Sequence, residues 1–282
     1  MIAVDVDNIR SGAGRNKLVD VAEYVSTLPP SDRVGLVTLP GGGRNLEPTS
    51  DRAALLAALS RTAGVDHREN SCDATLGEAA AEAVMDDRGL ALWAGRASPP
   101  RCPPATRSLL KTFAAMYRNQ TRQTLAALTS LANNLAAVPG RRAIILVSEG
   151  LYMDNDTVHE DLPPFGAALE RSRVTLYAIH LDFPFSEASM QFVSPATRRL
   201  DDRYGFDGMA NAAVFGGGAA IRAISRATPA IRQIDLELSG TYLLGIERLP
   251  ADPVGKQISV KVEVSRKGAE IRTRHDVTVS AK

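Results

Sequence analysis

The chain has 282 residues, enough for one large domain or for one domain with a smaller addition. Hydrophobic residues make up 44% and charged residues 23%, a composition that is typical of folded globular proteins and excludes a disordered chain. Because 33 basic residues nearly balance 32 acidic ones, we expect no nucleic-acid partner. No apolar run approaches the roughly 18 residues of a transmembrane helix, so we predict no membrane span in this chain.

Strand and helix patterns alternate along the first 240 residues. Apolar runs predict buried strands at 2–6, 34–39, 143–148, 174–179 and 220–224. Helical periodicity predicts helices at 15–28, 51–59, 73–85, 105–138, 164–172, 207–214 and 228–239. Residues 182–207 are predicted to be a long polar loop. This alternation predicts an α/β fold with a doubly wound, mostly parallel sheet of the Rossmann-like kind.

The pattern changes after residue 240. Strands are predicted at 242–246, 258–264 and 271–279, with turns at Gly255 and at Lys267-Gly268. We therefore predict two parts: an α/β domain at 1–240, in which 86–104 is an irregular insertion, and a C-terminal antiparallel β extension at 241–282 packed on it.

Acidic side chains follow two of the predicted strands. Asp5 and Asp7 end the first strand, and Glu149 follows Ser148 at the end of the strand 143–148. In doubly wound sheets, ligands bind at the carboxyl ends of the central strands. Carboxylates there, with the hydroxyl of Thr75 at the start of a helix, suit a hard cation such as Mg²⁺. The alternative is that Asp5 and Asp7 only cap the loop and the first helix.

The order of these motifs resembles a von Willebrand factor A (VWFA) domain, and most of all the bacterial VWFA-related proteins of the acidobacterial type. The resemblance is carried by VDVDNIRSGAGR (4–15), LPPSDRVGLVTLP (28–40), TSDRAALLAAL (49–59), VPGRRAIILVSEGL (138–151) and ELSGTYLLGIE (237–247). These stretches span nearly the whole chain, in the order that the family has.

The resemblance implies a metal-ion-dependent adhesion site, here in a degenerate form. The family's Asp-x-Ser-x-Ser pattern falls on Asp5, Asp7 and Ile9, where an acid and an apolar residue replace the two serines. The family's threonine falls on Thr75, and its Ser-Asp-Gly loop falls on Ser148, Glu149 and Gly150. The resemblance therefore implies oxygen ligands at Asp5, Asp7, Thr75 and Glu149 for Mg²⁺ or Mn²⁺.

The implied function is that of a non-enzymatic module that binds a partner protein through the strand-end face. A cation in the site would complete its coordination shell with a carboxylate of the partner. Three alternatives remain open. Residues 5–9 also resemble the first motif of haloacid-dehalogenase-type phosphatases, which implies Asp5 as nucleophile and Asp7 as general acid. They more faintly resemble metal-dependent nucleases of the PIN/NYN kind. The third alternative is a structural domain whose site binds nothing.

The resemblance also implies export, because such bacterial proteins usually carry a signal peptide, which is absent from the printed sequence. We therefore expect a periplasmic or secreted protein. An oxidising compartment would allow Cys72 and Cys102 to form a disulfide. The alternative is that each thiol is a small buried apolar group.

Overall fold

The computed structural model describes residues 1–9, 13–41, 43, 45–65, 79, 106–181, 195–224, 226–240, 254–268, 271 and 276–279. The strands of its main sheet are β1 (Ile2–Asp5), β2 (Val34–Leu39), β3 (Leu46–Thr49), β4 (Arg142–Ser148), β5 (Val174–Leu181) and β6 (Ala220–Ala223). The helices are α1 (Ala13–Thr27), α2 (Arg52–Leu59), α3 (Arg107–Leu135), α4 (Leu162–Arg171), α5 (Pro195–Phe215) and α6 (Thr228–Ser239).

The six strands form one sheet in the order β3-β2-β1-β4-β5-β6. The pairs among β2, β1, β4, β5 and β6 are parallel, and only β3 pairs antiparallel at the edge. Strand order runs outward in both directions from β1 and β4, so the topology reverses between these two strands. This confirms the predicted doubly wound, mostly parallel α/β fold.

Helices cover both faces of the sheet. On one face α1, α2 and α6 close a core that includes Leu18, Leu55 and Ile231, and on the other α3, α4 and α5 close a core that includes Leu128, Leu169 and Met209. The strands read as apolar runs because both of their faces are buried, as parallel strands usually are.

Helix α3 is one continuous helix of 29 residues, which confirms the predicted helix at 105–138 with slightly shorter bounds. It is roughly 43 Å long at 1.5 Å per residue. Thr106 caps it by accepting a hydrogen bond from the Leu109 N–H at 3.3 Å. Its C-terminal half packs on the sheet. Its first turns extend past the strand ends, where Tyr117 packs against Tyr152 with 6.3 Å between ring centroids.

Two expectations about elements were wrong. The predicted loop 182–207 includes the start of α5, which begins at Pro195; Gly205 and Gly208 interrupt its apolar pattern, although Met209, Ala212 and Ala213 are fully buried. Strand β3 was not predicted, because Glu47 and Pro48 break the alternation of a strand; an edge strand tolerates both.

The C-terminal extension is described only in part. Strands β7 (Gln257–Ser259) and β8 (Asp276–Thr278) form a separate antiparallel two-stranded sheet. The predicted strand at 258–264 is much shorter, since residues 260–268 are not strand. Within the predicted strand 271–279, the described residues show strand at Asp276–Thr278. The predicted strand 242–246 and helix 73–85 lie outside the described residues, apart from the helical Ala79.

A buried carboxylate joins α1 to the start of α6. Asp20 on α1 is 5% exposed and accepts hydrogen bonds from the Ala227 N–H at 2.6 Å and from the Arg226 guanidinium at 2.9 Å. Ala227 precedes α6, so this carboxylate satisfies a backbone donor that the helix itself leaves unpaired.

We expect Asp20→Ala to lower the free energy of unfolding by about 2 kcal/mol, because it removes a charge-assisted bond and leaves a buried N–H unsatisfied. Glu23→Gln is the control: Glu23 meets the same Arg226 at 3.2 Å but is 58% exposed, so its loss should change stability by less than about 1 kcal/mol. Urea denaturation of the two variants measures both effects. Equal losses would contradict the assignment.

Candidate functional site

The candidate site lies where the sheet reverses its topology, at the carboxyl ends of β1 and β4. Asp5 is the last residue of β1, and Ser148 is the last residue of β4. The Ser148 hydroxyl donates a hydrogen bond to Asp5 Oδ2 at 2.9 Å. Neither residue has any exposed surface. The two central strands are therefore joined at their ends by a buried polar contact.

Two further donors complete the surroundings of Asp5. The Asn8 side chain donates to Oδ2 at 2.9 Å, and the Thr124 hydroxyl of α3 donates to Oδ1 at 3.4 Å. Asn8 belongs to a short 3-10 turn, Val6–Asn8, that follows β1 directly. The buried carboxylate thus holds together a strand end, the turn that follows it and a helix.

Burial dominates the electrostatics of this carboxylate. Desolvation raises the pKa of Asp5 from 3.8 to about 6, although the hydrogen bonds from Asn8, Ser148 and Thr124 favour the charged form and act against the rise. The charge of Asp7 adds a smaller upward contribution. At neutral pH the carboxylate is charged but only weakly favoured in that state.

The loop after β4 begins beside the turn that carries Asp7. The Glu149 N–H donates to the Asn8 carbonyl at 3.3 Å, and the Gly150 N–H donates to the Ser148 hydroxyl at 3.2 Å. The side chains of Asp7 and Glu149 are each partly exposed. The structure therefore places Asp7 and Glu149, both partly exposed, on adjoining backbone segments at the carboxyl ends of β1 and β4.

Glycines allow the β4 loop to lie directly on α5. Gly150 has φ 149°, and a Cβ atom there would lie 2.6 Å from the Cα atom of Gly205. A Cβ at Gly208 would lie 1.9 Å from the Leu151 carbonyl oxygen, and the Leu151 N–H donates to the Gly205 carbonyl at 3.2 Å. The two glycines inside α5 are thus explained by the approach of the loop backbone.

Residues of the sequence motif separate into three groups. Asp5 is the last residue of β1, Asp7 lies in the turn that follows it, and Glu149 directly follows β4. Ile9, at the place of a serine in the family pattern, is fully buried in the core and turns away from the strand-end face. Thr75, Cys72 and Cys102 lie outside the described residues.

Two partners of Asp5 were missed at the level of sequence. Thr124 lies 119 positions away in the middle of a helix, so no local pattern could link it to the strand. Its one signal is a pair of hydroxyl residues, Thr121 and Thr124, that interrupts an apolar helix face; both are 1% exposed. Asn8 stood within the motif but was not assigned a role.

The carboxylates of Asp7 and Glu149 are oxygen ligands of the kind that hard cations prefer. Mg²⁺ keeps several waters and commonly uses only one or two protein carboxylates, which Asp7 and Glu149 would supply. Asp5 has no exposed surface, so it would act from within, through its hold on the turn and on β4. Within the described ranges, no three His, Cys, Asp or Glu side chains lie close enough to hold a metal by themselves.

The burial of Asp5 bears on the phosphatase alternative. A nucleophilic aspartate must reach the phosphorus atom of its substrate. With no exposed surface and both oxygens accepting hydrogen bonds, Asp5 is out of reach of a phosphate ester in this conformation.

Comparisons with known proteins give matches among solved structures alone. No protein-family model and no curated protein matches the chain. Among solved structures, the chain is similar to the conserved hypothetical protein BatB from Bacteroides thetaiotaomicron, with 16% identity and a TM-score of 0.46 over 84% of this chain and 95% of that one. That TM-score carries no argument about function, and the fold class rests on the strand order of the sheet itself.

The free energy of unfolding of Asp5→Asn minus that of wild type should be larger at pH 7.5 than at pH 4. The folded-state pKa of Asp5 is raised, so its contribution is most favourable below the ordinary pKa of 3.8 and is lost as the pH rises through about 6. The rise in the pKa of Asp5 corresponds to a destabilisation of about 3 kcal/mol when the buried carboxylate is charged. Asparagine carries no charge and so avoids this destabilisation. Its oxygen can still accept from Asn8 and Ser148.

Urea denaturation of both proteins at pH 4, 5, 6 and 7.5, in the presence of a chelator, measures this difference. Thr38→Ser is a suitable control, since it changes a buried side chain at the neighbouring strand end without altering charge. A stability difference that does not vary with pH would contradict a raised pKa for Asp5.

Proposed function

We propose that the protein is a non-enzymatic binding module of the VWFA type, which presents the carboxyl ends of β1 and β4 to a partner protein. The observation that carries the proposal is the buried Ser148–Asp5 hydrogen bond at the point where the topology reverses, with Asp7 and Glu149 on the surface above it. In this arrangement the buried acid would have an architectural role, and Asp7 and Glu149 would contact the ligand.

The proposed ligand is Mg²⁺ or Mn²⁺, together with a carboxylate of the partner. Residues 149–161 include five acidic residues, of which Asp154 pairs with Arg118, and Glu160 and Asp161 pair with Arg122. Asp7 and Glu149 would repel a partner's carboxylate, so a cation between the two would provide the attraction. Thr75 belongs to the proposed ligand set on the basis of the family resemblance.

Several features favour a binding function over an enzymatic one. Asp5 is inaccessible as a nucleophile, and the Ser148 hydroxyl, the other nucleophile at this edge, is equally buried. Independently of that comparison, no helix among the described residues is long and apolar enough to cross a membrane. The partner itself is defined by the proposal only as a protein that offers a carboxylate.

Titration calorimetry of the intact chain with Mn²⁺ and Mg²⁺ tests the cation site. We expect one weak site, and Glu149→Ala and Asp7→Ala should each reduce the affinity by about tenfold or more, because each removes one of few carboxylate ligands. Asp156→Ala is the matched control, an exposed acid of the same loop, and should leave the affinity nearly unchanged.

Two results would contradict the proposal. One is the absence of cation binding by the wild-type chain, or an affinity that none of these substitutions changes. The other is Mg²⁺-dependent turnover of p-nitrophenyl phosphate that Asp5→Asn abolishes, since that result would establish the enzymatic alternative.

Export to the periplasm or the cell exterior is part of the same proposal, and it rests on the family resemblance. We expect Cys72 and Cys102 to be joined in protein matured in an oxidising compartment, which would close a loop of about 30 residues and stabilise the fold by about 3–4 kcal/mol. Thiol counting on denatured, unreduced protein checks this. Two free thiols in such material would rule out the bond.

A further inference from the structure

The loop that carries Glu149 is fixed from one side by an ion pair with α3. Asp154 accepts hydrogen bonds from the Thr157 N–H at 2.9 Å and from the Thr157 hydroxyl at 2.8 Å, both on Oδ1. Its other oxygen pairs with the guanidinium of Arg118. Asp154 thus connects the β4 loop both to Thr157, three residues further along the chain, and to Arg118 of α3.

This pair is partly shielded from solvent. The side chains of Arg118 and Asp154 are 34% and 13% exposed. Desolvation by burial favours the neutral form of Asp154, but the hydrogen bonds from Thr157 and Arg118 outweigh it and hold the pKa of Asp154 below its ordinary value. Loss of one partner from such a pair leaves an uncompensated, partly buried charge.

The same helix contacts both halves of the strand-end site. Six residues after Arg118, Thr124 donates to Asp5 at the end of β1. One residue before Arg118, Tyr117 packs on Tyr152 of the β4 loop. Helix α3 therefore sets the position of the β4 loop relative to the end of β1, and Arg118 supplies its charged contact.

We propose that Arg118 is a positioning residue for the strand-end site: by holding Asp154, it fixes the loop so that Glu149 faces the same ligand as Asp7. This inference rests on the proposed function for its ligand. Arg118 itself contacts neither a ligand nor Glu149; it acts through Asp154 and the backbone between them.

The chain offers a matched control one helical turn away. Arg122 pairs with Asp161 at 2.7 Å, at the end of the π-helical turn Thr157–Asp161 that leads into α4, but this pair is more exposed, at 43% and 26%, and lies farther along the chain from Glu149. A weaker and more distant ion pair should contribute less to the position of Glu149.

Hydrogen exchange of the full chain tests the positioning role without any ligand. The amides of Glu149 and Leu151 donate to Asn8 and Gly205, so their exchange reports whether the loop is held in place. We expect Arg118→Gln to accelerate exchange in the 149–156 peptide by about tenfold, whereas Arg122→Gln should stay near wild type. Amides in β5 should be unchanged in both, which distinguishes a local loss from general unfolding.

Mn²⁺ titration of the same variants tests the connection to function. Arg118→Gln should weaken binding by about tenfold, as the loss of an outer partner of a metal site commonly does. Asp154→Asn should reproduce both effects, and Arg118→Lys should recover part of them, since lysine keeps the charge but not the planar fork.

Failure of the positioning role and failure of the proposed function can be told apart. If the wild-type chain binds no Mn²⁺ but Arg118→Gln still releases the 149–156 amides, the cation site is wrong and the positioning role stands. If Arg118→Gln and Arg122→Gln have the same effect on exchange, or if exchange changes without any loss of Mn²⁺ affinity in a wild type that binds it, the proposal is overturned.

Discussion

The hydrogen bond from Ser148 to Asp5 is the contact on which the strand-end architecture depends. It joins the two central strands at the place where the sheet reverses direction, and it is completely buried. Burial makes the carboxylate expensive to keep charged, which explains why three different elements contribute a donor to it. The buried carboxylate fixes the elements that donate hydrogen bonds to it. These elements lie at the carboxyl ends of the central strands, the face at which ligands bind in doubly wound folds.

Around this centre, the structure divides the acidic residues by role. Asp20 and Asp154 each accept backbone or side-chain hydrogen bonds and pair with an arginine, so they connect helices and loops. Asp7 and Glu149 remain partly exposed at the strand ends. The same residue type therefore stabilises the fold where it is buried and hydrogen-bonded, and lies partly exposed at the strand ends where the proposed function places the ligand.

Helix α3 contacts both the buried carboxylate of Asp5 and the loop after β4. Its C-terminal half belongs to the core of the sheet, and its N-terminal half stands above the strand ends. Glycines on α5 complete the enclosure from the other side, because they let the β4 loop lie against the helix backbone. The loop that carries Glu149 is consequently held between two helices, which limits the positions that this carboxylate can take.

The sequence by itself determined the α/β class, the parallel strands and the placement of Asp5, Asp7 and Glu149 at strand ends, because apolar runs and helical periodicity are local signals. Only the tertiary structure decided that Asp5 is buried, that Thr124 and Ser148 donate to it, that Ile9 turns into the core, and that α5 begins at Pro195. These features depend on contacts between residues far apart in the chain, or on glycines such as Gly205 and Gly208, which are needed because the backbone of the β4 loop lies against them. Periodicity carries no information about distant contacts or about the close approach of two backbones.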